Sequence, residues 1–101
     1  MKVGDLVTLS AAGSKLDQNH IAKLAKFGIV MKLHGLHYRQ VFKIDWILPE
    51  EVKVFGRRTP LGKVFYQSHL RYEIKKLKKN TRQIYYPMIH YIHQQRNMEI
   101  K

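Results

Sequence analysis

Between Tyr38 and Ile47 the chain reads Tyr-Arg-Gln-Val-Phe-Lys-Ile-Asp-Trp-Ile, an alternation of period two built on β-branched and aromatic residues. That period belongs to an extended strand and not to a helix. It sets Phe42, Ile44 and Trp46 on one face, the expected core, and Val41, Lys43, Asp45 and Ile47 on the other. A single strand cannot bury such a face alone, so the rest of the chain must supply partners. Four other short segments offer them. Asp5–Leu9 follows Gly4 and alternates, and Phe27–Leu33 runs into a turn signal at His34-Gly35. Val64–Tyr66 is a fourth strand, and Tyr72–Leu77 a fifth, with Tyr72, Ile74 and Lys76 opposite Glu73, Lys75 and Leu77.

Two connections are long. Ser10 to Lys26 is polar, with Leu16, His20, Ala22, Lys23 and Leu24 fitting one or two helical turns and Ser14 as a candidate cap. Leu48 to Gly62 holds Pro49, Gly56, Pro60 and Gly62, a loop composition in which Val52–Phe55 can extend a ribbon. Beyond Asn80-Thr81 the period changes. Met88, Ile89, Ile92 and Gln95 recur at helical spacing, and Pro87 suits a first turn, so a helix is expected across 86–97. The expected fold is mainly β: a five-stranded small barrel over residues 1–79, with a long first loop. Residues 80–101 form a C-terminal helical extension packed on the barrel or on a partner.

Charge is distributed unevenly. The 101 residues carry nineteen Lys and Arg against seven Asp and Glu, a formal net charge of +12. Residues 1–52 are nearly balanced, whereas 53–82 hold ten basic residues against Glu73 alone. Such a concentration suits an anionic partner, because phosphates bind ammonium and guanidinium groups by charge and by counterion release. The residues expected to carry nucleic-acid binding are Lys53, Arg57, Arg58, Lys63, Arg71, Lys75, Lys76, Lys78, Lys79 and Arg82. Tyr66 and Tyr72 are candidate stacking platforms beside them. The same cations also suit an acidic protein surface. Met88, Ile89 and Ile92 form the apolar face of the terminal segment and are the candidate partner-binding or self-associating residues.

The absence of cysteine removes disulfides, thiol nucleophiles and Cys-based metal sites. His34-x-x-His37 and His90-x-x-His93 have ligand-like spacing but neither has a nearby third ligand, and the His-Glu-x-x-His pattern is missing. Carboxylates are scattered, no glycine-rich phosphate loop precedes a helix, and no Ser or Thr has an evident base. The sequence therefore points to a non-catalytic module without metal or cofactor. No apolar leader opens the chain and no run of apolar residues is long enough to span a bilayer, so a soluble, cytoplasmic protein is expected.

The order Val3-Gly4-Asp5-Leu6-Val7, Phe27-Gly28-Ile29-Val30, Val41–Trp46 and Ser68-His69-Leu70-Arg71-Tyr72-Glu73-Ile74 resembles the small SH3-like barrels encoded by tailed bacteriophages. The resemblance covers residues 1–79. Related barrels include the KOW modules of ribosomal and transcription proteins, although only Gly28-Ile29-Val30 fits that signature here. The resemblance implies the five-stranded barrel and a place in the host-cell cytoplasm or the virion. The two functional expectations are nucleic-acid binding (DNA or RNA) with little sequence preference, and a protein-interaction role as a virion component or as an adaptor or inhibitor of a host enzyme.

Overall fold

A computed structural model describes residues 1–36, 39–53 and 57–77. The described chain is mainly β. Strand β1 spans Leu6–Leu9, β2 Phe27–His34, β3 Val41–Leu48, β4 Arg57–Thr59, β5 Gly62–Leu70 and β6 Ile74–Lys76. They form one open antiparallel sheet in the order β4-β5-β3-β2-β1-β6. There are six strands where the sequence predicted five. The additional strand, β4, lies inside the Pro/Gly connection and turns back on β5 through Thr59–Gly62. There the Thr59 hydroxyl accepts from the Leu61 amide and donates to the Gly62 carbonyl, and Gly62 takes a φ of 124° that side-chain-bearing residues avoid.

The alternation of β3 places Phe42, Ile44 and Trp46 in the interior as expected. They pack with Val7, Leu9, Ala22, Val30 and Ile74. The opposite face is not simply solvated. Ile47 and Asp45 are also buried, and Ile47 joins a second apolar cluster with Phe27, Ile29 and Val64. The sheet therefore buries side chains on both faces.

Strand β2 carries a bulge. Val30 faces Ile44 across the ladder and Lys32 faces Lys43, so Met31 is one residue extra. The consequence is a change of parity. Phe27 and Ile29 lie on the outer face before the bulge, and Lys32 and His34 share that face after it. Gly28, within β2, is covered by side chains of β3: an added methyl would stand 2.5 Å from the Ile44 side chain and 2.7 Å from the Trp46 ring.

The first connection folds into a single helical turn, α1 (Ala11–Ser14), and two 3-10 turns at Asp17–Asn19 and Ala22–Leu24. Ser10 caps α1, its hydroxyl accepting the Gly13 amide at 3.0 Å, while Ser14, the expected cap of the later turns, is the last residue of α1, and Leu16 precedes Asp17–Asn19 with no side-chain cap. Tyr72 and Glu73, expected to open the last strand, belong instead to a 3-10 turn, Arg71–Glu73. The Glu73 carboxylate reaches back to accept the Leu70 amide at 2.9 Å, which curls the chain before β6 begins. Strand β6 then pairs with β1, from Leu9 opposite Ile74 to Val7 opposite Lys76. The expected C-terminal helix lies outside the described residues.

Candidate functional site

The outer face of β2, β3 and β5 is built by register. Lys32, Lys43 and Ser68 form one row across the three strands; His34, Val41 and Leu70 form the next. On the other side of the lysine row stand Ile29, Asp45 and Tyr66. Tyr66 and Leu70 are 48% and 42% exposed, so a ring and an aliphatic group flank the cationic row on β5 and remain open to solvent.

Two lysines directly opposite each other on neighbouring strands oppose folding by a fraction of a kcal/mol, about 0.2–1 in magnitude. Lys32 and Lys43 have no carboxylate partner among the described residues, unlike Lys76, which stands 3.8 Å from the Asp5 carboxylate. The local field is correspondingly positive. His34 is held below its ordinary range chiefly by the Lys43 ammonium, with partial desolvation and Lys32 adding to the effect. Three groups able to carry positive charge therefore share two adjacent rows. Such a cluster suits an anion that supplies the missing countercharge.

The basic residues expected from sequence are divided by the sheet. Lys53 is exposed ahead of β4, Arg57 and Arg58 lie on β4, and Lys63 lies on β5. Lys75 and Lys76 occupy β6, the opposite edge of the strand order. Several of these cations are already engaged. The Lys63 ammonium donates to the Val52 carbonyl, Arg71 donates to the Ile74 carbonyl at 2.9 Å, and Lys76 stands 3.8 Å from the Asp5 carboxylate. Tyr72 is exposed on the 3-10 turn before β6, whereas Tyr66 lies within β5. Lys78, Lys79, Arg82, Met88, Ile89 and Ile92 lie outside the described residues, as do His37 and the His90–His93 pair.

The sequence reading passed over Lys32, Lys43 and His34 as binding residues. Lys43 falls on the non-core face of its strand by alternation alone, which does not show what stands opposite it. Asp45 is buried and stands opposite Tyr66 in register. The signal for Lys32 was hidden by the bulge, because an uninterrupted strand would put it on the side of Gly28 and Val30.

A second constellation lies inside. The Trp46 indole N–H donates to His69 Nε2 at 2.9 Å, and His69 Nδ1 is 3.0 Å from Glu73 Oε1. Asn19 donates to the same Glu73 oxygen at 3.0 Å and to the Gly13 carbonyl at 2.9 Å, while Gln67 donates to Asn19 Oδ1 at 3.2 Å. Trp46, His69, Glu73 and Asn19 are all buried. Burial pushes the Glu73 carboxyl up, but the hydrogen bonds from the Leu70 amide, Asn19 and His69 outweigh it and hold the group below its ordinary value. Histidine and carboxylate here satisfy each other and tie α1 and the 3-10 turns to the sheet. This network is a fastening, with its polar atoms directed at one another.

Comparison with protein-family models, with curated proteins and with solved structures returns no match for this chain. Among the described residues no helix is long and apolar enough to cross a membrane.

Proposed function

We propose that this chain is a non-catalytic binding module of the SH3-like small-barrel kind that binds nucleic acid through the outer face of β2, β3 and β5. The return of β6 to pair with β1, after the β1-β2-β3 meander continues through β5, supports the barrel reading. The observation that carries the function is the Lys32–Lys43 pair: two opposed cations with no carboxylate partner among the described residues, beside an exposed tyrosine. Phosphates bound there remove the repulsion between the lysines, and Tyr66 offers a face for a base, worth about 1–3 kcal/mol where stacking occurs. Ammonium-to-phosphate contacts read no sequence, so little sequence preference is expected.

The test is binding of duplex DNA, single-stranded DNA and RNA from about 50 to about 300 mM salt. The expected result is affinity that falls steeply with salt, with a slope reduced by about one for each of Lys32→Gln and Lys43→Gln. A flat salt response, or full retention of binding in the double variant, would overturn the assignment to this face. Lys75→Gln with Lys76→Gln provides the comparison for the opposite edge. An acidic protein partner is the second reading, supported by the exposed Leu70 next to the same cations; it predicts no nucleic-acid binding at any salt.

A further inference from the structure

Along the outer face of β5, Tyr66, Ser68 and Leu70 follow one another at alternate positions, a spacing of about 7 Å. All three are exposed. Each stands in a different row of the sheet. Ser68 completes the row of Lys32 and Lys43, so two ammonium groups and a hydroxyl, all able to donate to phosphate oxygens, lie side by side on three strands. The row of Tyr66 holds Ile29 and Asp45, both buried, and no cation to draw a phosphate. Along β5 the face thus passes from a ring, over a phosphate-binding row, to an aliphatic group.

Phosphate and base contacts make opposite demands on the form of a nucleic acid. Duplex DNA carries one charge per about 1.7 Å of axis and releases more counterions per contact than a single strand, so cations alone favour the duplex. In a duplex, however, the bases offer the grooves only their edges, and no face is left for a ring. An unpaired base has an open π-face. The sheet is also the wrong shape for a groove. Its rows remain three strands wide as far as His34, Val41 and Leu70, whereas a major groove admits a helix or a two-stranded ribbon.

We infer that the nucleic acid taken by this face is single-stranded, DNA or RNA, with an unpaired base laid on Tyr66 and its phosphate held over Lys32, Lys43 and Ser68. This rests on the nucleic-acid reading of the face and narrows it to one class of ligand. The bound strand follows β5, because ring, hydroxyl and aliphatic group succeed one another in that direction, and Leu70 gives the next base an apolar contact.

The test titrates the full chain with a single-stranded DNA, a single-stranded RNA and a duplex DNA, each of about 12 nucleotides or base pairs. Tighter binding of at least one single strand than of the duplex is expected, and the two single-stranded arms identify the sugar. Tyr66→Ala should weaken single-strand binding about 5- to 150-fold while leaving duplex binding and the salt slope unchanged, since the lost contact is uncharged. Tyr66→Leu, which keeps an apolar group there, should lose as much, and Tyr66→Phe should bind as the native chain does. Duplex binding as tight as single-strand binding, or single-strand binding that survives Tyr66→Ala, overturns the inference. The losses in Lys32→Gln and Lys43→Gln would in that case still hold, and the phosphate-binding face would stand without it. Absence of binding to all three ligands overturns both.

Discussion

The indole N–H of Trp46 points into the ring nitrogen of His69, with the two rings edge to face at 87° and their centroids 5.4 Å apart. Indole nitrogen is a donor only, so His69 Nε2 must be the acceptor and the imidazole proton must sit on Nδ1, toward Glu73. Replacing the imidazole by a ring that cannot accept or donate removes both bonds at once. His69→Phe is expected to cost about 3 kcal/mol or more, because an indole N–H and a carboxylate oxygen both lose a partner in a dry interior. The shift in urea midpoint measures it, and a loss below about 1 kcal/mol would show that the network is dispensable.

Acid should loosen the fold through Glu73. Its folded-state value lies below the ordinary 4.5, so its stabilisation is complete above that pH and is lost as pH falls through the lower folded value. Urea midpoints between neutral pH and about pH 3 should therefore drop more for the native chain than for Glu73→Gln, whose deficit is present at neutral pH already. Parallel curves for the two proteins would remove Glu73 as the source of the acid response.

Gly13 is the point where α1 meets the turn before β6. A methyl group there would lie 2.1 Å from the Glu73 carbonyl oxygen, which is backbone and already accepts the Ser10 amide. Gly13→Ala must separate the two segments, at a cost of about 1–3 kcal/mol, despite the better helix propensity of alanine. Denaturant unfolding of that single variant decides the matter; an unchanged or raised midpoint would mean the segments are not in contact.

Lys43 should be visible in the titration of His34. Since the Lys43 ammonium is the main influence holding His34 down, Lys43→Gln should return the His34 midpoint upward toward its ordinary 6.5. Proton resonances of the ring followed through pH report the shift directly. A midpoint that does not move would place the two side chains too far apart to share an anion.

What the sequence disclosed and what it hid have physical causes. Phe42, Ile44 and Trp46 were legible because a regular strand obeys its period. Lys32 was not, because Met31 breaks that period without any compositional mark. Glu73 looked like a strand residue between Tyr72 and Ile74, until its carboxylate captured an amide three residues back. His69 and Asn19 are fifty positions apart and meet only through Glu73, a relation no local pattern encodes. The concentration of charge in residues 53–82 is plain in the sequence, whereas the strand each described member joins is not: Arg57 and Arg58 lie on β4, Lys63 on β5, and Lys75 and Lys76 on β6.

Met31 also decides where β2 tolerates a change of length. Its excision leaves every remaining side chain of that strand on its present side, since the ladder then runs from Val30–Ile44 straight to Lys32–Lys43. Loss of Ile29 would instead put Val30 opposite Asp45 and turn it to the other face. A codon deletion scan should thus spare the bulge and not the regular ladder before it.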